Sequence, residues 1–242
     1  MTRWAMVVDL DKCVACQGCS IACRYENNTP AVSPEQAEMG RAIRWNNVFP
    51  FPINPTEETG EYPNVRTRYI TRPCMHCENP PCVKVCPVQA TFKDDGGLVR
   101  QNYDRCIGCR FCTVACPYGV RYFNWFEPEW DGPMQEYRNT DRVEGKGVTE
   151  GPAPRPVGVV EKCTFCIHRQ MKAQERAQKE GRDFRPDEYV PACVQTCTAK
   201  ARYFGDLDDP ESTVAQYEKS PRAFRLLEDV GTHPKVIYLT EG

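Results

Sequence analysis

The sequence lacks any long apolar run. None of its 242 residues lies in a segment approaching the 18 consecutive apolar residues that a membrane-spanning helix requires. Residues 1–23 also contain no apolar stretch followed by a small-residue cleavage site, so we expect no signal peptide. If the protein crosses a membrane, we expect another polypeptide to carry it.

An excess of basic charge and a catalytic constellation are missing as well. The 31 Lys and Arg residues nearly balance the 33 Asp and Glu residues, and no basic stripe indicates a nucleic-acid partner. With only three histidines, no His, Ser, Asp, Glu or Lys residues form a pattern typical of a nucleophile or an acid–base pair. We therefore expect no catalytic residues and no enzymatic activity of this chain on its own.

Cysteine, in contrast, is abundant. The 16 cysteines fall into four groups of four with none left over, which we number one to four in chain order. Group one is Cys13, Cys16, Cys19 and Cys23, group two Cys74, Cys77, Cys82 and Cys86, group three Cys106, Cys109, Cys112 and Cys116, and group four Cys163, Cys166, Cys193 and Cys197. Cysteines separated by two residues are poorly spaced for disulfide bonds. A chain of this length can also bury a hydrophobic core without disulfide cross-links, so a disulfide scaffold is disfavoured.

Group three has the spacing C-x2-C-x2-C-x3-C-P of bacterial ferredoxins, in which three cysteines bind one 4Fe-4S cluster and the fourth ligates its neighbour. One such run therefore predicts a partner run. Group two, which also ends in Cys-Pro and carries an insert with Pro80 and Pro81, fits that role. Structural zinc is the alternative, chiefly for group four, because C-x2-C pairs also occur in zinc sites.

The two outer groups follow the same pattern less closely. Group one has ferredoxin spacing with Arg24 in place of the usual proline, and group four has a long gap between its pairs. His168 follows Cys166 one residue too late for a c-haem signature. His76 lies between two cysteines, and we expect it to support the site rather than bind iron.

The order of the groups predicts an α+β fold of two nested bacterial-ferredoxin-like modules with pseudo-twofold symmetry and long loop insertions. If groups two and three share a module, groups one and four are left to form another around it. The predicted domains are an outer module (1–60 plus 156–210), an inner two-cluster module (61–127), an extended loop (128–155) and a C-terminal docking segment (211–242).

Crosswise ligation then predicts four 4Fe-4S clusters on four sets of thiols. Set I is Cys13, Cys16, Cys19 and Cys197; set II is Cys23, Cys163, Cys166 and Cys193; set III is Cys74, Cys77, Cys82 and Cys116; set IV is Cys86, Cys106, Cys109 and Cys112. Each oxidised cluster with its thiolates adds a charge of about −2, so four would take the net charge from −2 to roughly −10. Four redox centres without a reaction site indicate a protein whose role is electron transfer.

Periodicity predicts several elements between the groups. Strands are expected at 4–9, 43–45, 65–70, 118–125 and 235–240, and a solvated helix at 170–179. Trp45, Phe49 and Phe51 are expected in a local core rather than in a partner-docking patch. Residues 128–155 have no periodicity, which favours an arm lying on another subunit over a merely mobile insertion.

Four segments together resemble a known family. They are the N-terminal VVDLDKCVACQGC, CMHCENPPCVKVCP at 74–87, CIGCRFCTVACPYG at 106–119 and GDLDDP at 205–210. The sequence is similar to the four-cluster iron-sulfur subunits of complex molybdopterin oxidoreductases, such as dimethyl sulfoxide, polysulfide, thiosulfate, tetrathionate and arsenate reductases. Some relatives replace the second cysteine of group three with Trp and hold a 3Fe-4S cluster, whereas Cys109 is present here.

The resemblance implies two partners: a large catalytic subunit with a molybdenum or tungsten bis-pterin, and an integral membrane subunit that reacts with quinone. It implies a peripheral location on the cytoplasmic membrane, with the periplasmic face expected from co-export and the cytoplasmic face as the alternative. It also implies that the cluster of set IV lies nearest the membrane subunit. A subunit of a hydrogenase or formate-linked complex is the alternative function.

Overall fold

The computed structural model describes residues 2–51, 67–126, 139, 144–145, 148–149 and 155–241. Its strands are β1 (Trp4–Asp9), β2 (Asn47–Phe51), β3 (Arg68–Arg72), β4 (Thr91–Lys93), β5 (Val99–Gln101), β6 (Tyr122–Phe123), β7 (Glu144–Gly145), β8 (Val148–Thr149), β9 (Val160–Glu161), β10 (Arg202–Asp206), β11 (Ala223–Phe224) and β12 (Val236–Leu239). Its α-helices are α1 (Gly18–Glu26), α2 (Pro34–Glu38), α3 (Pro81–Lys84), α4 (Phe111–Val114), α5 (Ile167–Lys179), α6 (Ala192–Gln195) and α7 (Thr213–Glu218), and 3-10 turns lie at Pro186–Glu188 and Glu228–Val230. None of the described helices is long and apolar enough to cross a membrane.

A four-stranded sheet of order β10-β1-β12-β11 forms the centre of the fold. Strand β1 pairs antiparallel with β10 and parallel with β12, and its six residues are all buried, which confirms the strand predicted at 4–9. Side chains alternate across a strand, so Trp4 and Met6 enter the main core while Ala5 and Val7 pack on the opposite face against α7.

The C-terminal part of the chain completes this sheet. Strand β12 confirms the strand predicted near the C-terminus, and its four residues are fully buried. Strand β12 within the segment 211–242 therefore belongs to the core, and the docking role of the segment stays a prediction.

The strand predicted at 43–45 is wrong. Ile43 and Trp45 are buried, but the ladder begins only at Asn47, where β2 pairs antiparallel with β3. The alternate side chains of residues 43–45 are buried because they pack into the core, although this segment pairs with no neighbouring strand in the part of the chain that the structure describes. Trp45 is core as expected and Phe49 packs against the core, while the side chain of Phe51 lies outside the described residues.

Two other elements differ in extent. The strand predicted at 118–125 is reduced to the two residues of β6, which pair with β9. Helix α5 covers the predicted 170–179, but Ala173 and Ala177 on one face are buried in the structure, so the helix is solvated on its outer side only.

Short helices carry cysteines and pack in pairs. Helix α1, which contains Cys19 and Cys23, packs against α6, which contains Cys193. Helix α3, with Cys82, packs against α4, with Cys112. Groups one and four therefore meet through their helices, as do groups two and three.

The arm predicted for 128–155 lies mostly outside the described residues. Within it, β7 and β8 form a short hairpin. Asn139 is held at the body of the protein, because its Nδ2 donates to the Glu26 carbonyl at 2.9 Å and its backbone N–H donates to Asn28 Oδ1 at 3.0 Å.

Candidate cluster-binding site

All 16 cysteines are free thiols, and nine of them are buried. Only Cys16 and Cys109 are exposed. Within the described ranges, no three His, Cys, Asp or Glu side chains lie close enough together to hold a single metal ion.

The thiols of set II come from groups one and four. Burial raises the pKa of Cys23 well above its usual range, because a thiolate is poorly solvated in the interior. The neighbouring thiols that raise this pKa further are those of Cys163, Cys166 and Cys193. Residues separated by most of the chain thus meet at one buried point.

The thiols of set III also lie together. Burial raises the pKa of Cys77 to about 12, and its thiol neighbours belong to Cys74, Cys82 and Cys116. These four cysteines line one apolar cavity, whose wall includes Pro80, Pro81 and Tyr118. Groups two and three therefore both contribute to this cavity.

Set I lines a second cavity near the surface. Its wall contains all four thiols, those of Cys13, Cys16, Cys19 and Cys197. Burial raises the pKa of Cys13, while the backbone N–H of Ala15 lowers it by hydrogen bonding to the thiolate.

Three members of set IV meet in the same way. Burial raises the pKa of Cys112, and the thiols that raise it further are those of Cys106 and Cys86. The fourth member, Cys109, is exposed in the loop between Cys106 and Cys112. Burial alone would raise the pKa of Cys86, but backbone N–H groups, led by that of Thr91, outweigh burial and lower it.

The backbone repeats one unusual conformation at all four groups. The second residue after the first cysteine of each group has a positive φ: Ala15 (55°), His76 (44°), Gly108 (67°) and Phe165 (55°). The third residue after the last cysteine repeats this in groups two, three and four, at Gln89, Gly119 and Lys200. In group one the chain continues in α1 to Glu26 instead. Left-handed residues are uncommon outside glycine, so their recurrence marks four copies of one kind of loop.

Hydrogen-bond donors point at the sulfur atoms. The backbone N–H of Phe165 donates to Cys163 Sγ at 3.4 Å, and that of Ala201 donates to Cys197 Sγ at 3.3 Å. Asn46 Nδ2 donates to Cys19 Sγ at 3.2 Å. Such donors stabilise thiolates and the sulfur atoms of a bound cluster.

Two buried arginines lie between pairs of sets. Arg121 lowers the pKa of both Cys82 (set III) and Cys112 (set IV), which burial raises. Arg202 does the same for Cys193 (set II) and Cys13 (set I), whose pKa values burial also raises. Among the described residues, Arg121 Nη2 and Arg202 Nε have no hydrogen-bond partner although they are buried.

The junction between sets II and III contains two further buried polar side chains. The Val99 N–H donates to Nδ1 of His76 at 3.1 Å, so Nε2 carries the imidazole proton and donates to the Cys163 carbonyl at 3.1 Å. Lys162 Nζ donates to the same carbonyl at 2.8 Å. Burial lowers the pKa of His76 well below its usual range and Lys162 lowers it further, so the imidazole is neutral. His76 thus forms a buried hydrogen-bonded bridge between the Val99 N–H and the Cys163 carbonyl, and its supporting role at a cluster stays a prediction.

Glu26 ties α1 to α5 beside set II. Its carboxylate accepts from His168 Nε2 at 2.7 Å and from Arg169 Nη2 at 2.7 Å. Burial raises the pKa of Glu26, but these two partners outweigh it and lower the pKa to about 2. The network joins groups one and four by charge as well as by packing.

Exposed apolar side chains lie close in sequence to the two exposed cysteines. Val14 and Ile21 are 67% and 51% exposed near Cys16, and Ile107 and Val114 are 65% and 81% exposed near Cys109. Val14 and Ile107 each follow the first cysteine of their group, and Ile21 and Val114 each stand two residues after the third. We call these two surfaces the group-one collar and the group-three collar.

The buried cations were not found from the sequence, although a signal was present for two of them. Arg121 and Arg202 each stand five residues after the last cysteine of their group. Lys162 gives no such signal, because Lys12 precedes Cys13 in the same way and is exposed.

The residues present fit 4Fe-4S clusters. Thiols converge from two groups at a time, and donors without partners are buried beside them. That each set ligates one cluster stays a prediction at this point.

Comparisons with known proteins agree with this chemistry. Residues 65–138 and 105–201 each match a 4Fe-4S dicluster domain. The first match spans groups two and three, and the second spans groups three and four. The pairing of group one with group four is therefore outside what these matches test.

Similar proteins cover almost the whole chain. The iron-sulfur cluster-binding subunit of a menaquinone reductase from Nitratidesulfovibrio vulgaris is 45% identical over 98% of this chain and 89% of its own length. A selenate reductase subunit from Mesobacillus selenatarsenatis is 41% identical over 98% and 72%. The iron-sulfur subunit of an arsenate respiratory reductase from a Shewanella species is 39% identical over 98% and 96%. The chain therefore belongs to the family of iron-sulfur subunits that transfer electrons in respiratory oxidoreductase complexes.

Proposed function

We propose that this protein binds four 4Fe-4S clusters, on sets I to IV, and conducts electrons between a molybdopterin catalytic subunit and a quinone-reactive membrane subunit. The observation that carries the proposal is the meeting of thiols from distant groups, as at Cys23 and Cys163. Bound clusters would supply one-electron chemistry, and the chain supplies their ligands, spacing and charge.

The nested arrangement of two modules is part of the proposal. It is supported by the packing of α1 on α6 and of α3 on α4, and by the shared left-handed loops of the four groups. Arg121 and Arg202 add a further correspondence, since each lies between the two sets of one module.

We propose the electron path I–II–III–IV. Neighbouring thiols support the first two steps. Besides burial, Cys19 of set I raises the pKa of Cys193 in set II, and Cys74 of set III raises that of Cys163 in set II. Arg121 connects sets III and IV, because it acts on thiols of both. Sets II and III are then interior, and sets I and IV form the ends.

The two collars support partner docking at these ends. Exposed apolar residues around a redox centre favour a protein partner, because docking removes them from water and brings a second centre close. We propose the catalytic subunit at the group-one collar and the membrane subunit at the group-three collar. Residues 128–155 are proposed to contact a partner, and 211–242 to assist docking.

The proposed location is peripheral on the cytoplasmic membrane, on the periplasmic face by co-export. Menaquinone, selenate and arsenate reductases are the complexes named for the relatives above, which favours a quinone-linked respiratory chain over a hydrogenase or formate-linked complex. Identification of the large subunit that co-purifies in the intact complex separates these two functions.

Metal analysis tests the cluster proposal. Anaerobically purified protein is expected to contain about 16 iron and about 16 acid-labile sulfide per chain, since four sets each bind one cubane. About half that iron together with stoichiometric zinc would instead indicate structural zinc sites and overturn the four-cluster assignment.

A further inference from the structure

Lys162 is a fully buried cation between the two modules. Its relative exposure is 0%, and its Nζ donates to the Cys163 carbonyl. Among the described residues, no carboxylate lies within ion-pair distance of it; the adjacent Glu161 is engaged by Arg155. An ammonium group without an anionic partner is costly to bury, so its charge requires another source of compensation.

Thiols of both modules lie around Lys162, and as thiolates binding their clusters they would supply that compensation. Burial raises the pKa of Cys163 in set II and of Cys82 in set III, and Lys162 lowers both. A single ammonium group therefore acts on ligands from both modules. Loaded clusters would add further negative charge on both sides of it.

The surrounding contacts fix the position of this charge. The Cys163 carbonyl accepts from Lys162 Nζ and from His76 Nε2, so one oxygen atom joins the cation to the segment between Cys74 and Cys77. His76 stacks on Phe165 with ring centroids 4.0 Å apart. Both rings are buried.

We propose that Lys162 sets the reduction potentials of the two inner clusters together, and so controls the transfer of electrons from one module to the other. The proposal rests on the four-cluster function above. A buried positive charge stabilises the reduced, more negative state of each neighbouring cluster, because the field of the charge is weakly screened in the protein interior. When an electron passes between the clusters of sets II and III, one is oxidised and the other is reduced. Lys162 stabilises the reduced state of whichever cluster holds the electron.

Arg121 and Arg202 each lie between the two sets of a single module, whereas Lys162 lies between the inner and the outer module. A shared cation there keeps the two inner potentials close, since the same charge acts on both. Removing it is expected to lower both inner potentials and to leave the outer clusters on sets I and IV largely unchanged.

The test compares Lys162→Gln, which keeps a hydrogen-bond donor without charge, with Lys162→Arg, which keeps the charge. Each variant is prepared in the intact complex, its iron content is measured, and redox titration followed by EPR gives the four potentials. We expect Lys162→Gln to shift electron occupancy of both inner clusters at least tenfold toward oxidation, or about 59 mV for a one-electron centre. Lys162→Arg should retain most of the wild-type potentials.

Lys12→Gln is the matched control. Lys12 precedes the first cysteine of its group as Lys162 does, but it is exposed, so solvent screens its charge. Its removal should leave all four potentials unchanged.

The outcomes separate this inference from the proposed function. A wild-type complex without four clusters would overturn the function. Four clusters with unchanged inner potentials in Lys162→Gln, or a shift confined to one inner cluster, would overturn the role of Lys162 alone. If Lys162→Gln does not retain wild-type iron, Lys162→Met is titrated instead against the same criteria.

Discussion

The rings of His76 and Phe165 stack with their centroids 4.0 Å apart and their planes inclined by 26°. Each is the second residue after the first cysteine of its group, and each has a positive φ. One belongs to group two and the other to group four, so equivalent loops of the inner and outer segments meet face to face. The hydrogen bond from His76 to the Cys163 carbonyl joins the same two loops.

His76→Phe is expected to weaken this junction while keeping an aromatic ring. The Val99 N–H would lose its buried acceptor, which costs about 1–3 kcal/mol. The clusters should be lost at a lower urea concentration than in the wild-type protein. Hydrogen exchange of the backbone amides in β5 should be faster. Phe165→Leu is the control, because it removes the stack but keeps both hydrogen bonds of His76. Greater damage from Phe165→Leu than from His76→Phe would show that stacking dominates the junction.

Cys23→Ser and Cys163→Ser are expected to disturb the same cluster, because their thiols lie together in set II. EPR spectra of the two variants should lose or alter one common signal. Cys13→Ser should alter a different signal, since Cys13 lies with Cys197. A Cys23 variant that matches the Cys13 variant instead would contradict crosswise ligation.

Gly108→Ala is expected to damage set IV selectively. A Cβ atom there would lie 2.1 Å from the Gly158 carbonyl oxygen, and the backbone has a φ of +67° that side chains disfavour. The loop between Cys106 and Cys109 must therefore shift. Iron content should fall by roughly one cluster, and one EPR signal should be lost.

Gly119→Ala provides the control for that variant. Gly119 also has a positive φ, but a Cβ atom would meet nothing within 4 Å. The expected cost is only the left-handed strain of about 1–2 kcal/mol, with all clusters retained. Similar iron loss in both variants would mean that strain, rather than the contact with Gly158, limits cluster binding.

Cys109→Trp is expected to stop quinone-linked turnover while dye-linked activity remains. Losing this ligand favours a 3Fe-4S centre of higher potential, and cluster potentials respond to cluster type over a range of about −700 to +450 mV. Electrons would then be trapped at the proposed membrane end, whereas a small dye reaches the centres upstream. Both activities are measured on assembled complex with checked cluster content. Equal loss of the two would place set IV beside the catalytic subunit.

Much of the chemistry was determined by the sequence. Four groups of cysteines with ferredoxin spacing indicated iron-sulfur chemistry because ligand spacing is local, and the family assignment agrees. Strand β1 and helix α5 were also predicted, since their patterns are carried by consecutive residues. The strand predicted at 43–45 was wrong because burial of Ile43 and Trp45 comes from packing, and a strand also needs a neighbour in register.

Only the tertiary structure decided which charges lie among the thiols. Lys12 and Lys162 occupy the same position before their cysteines, yet one is exposed and the other is fully buried between two sets. Their difference depends on their tertiary contacts: Lys12 follows β1 at the surface, whereas Lys162 is buried and donates to the Cys163 carbonyl, which also accepts from His76 of group two. Burial is a property of the assembled chain, because it is created by residues far away in sequence, and burial sets how strongly one charge acts on a neighbouring redox centre.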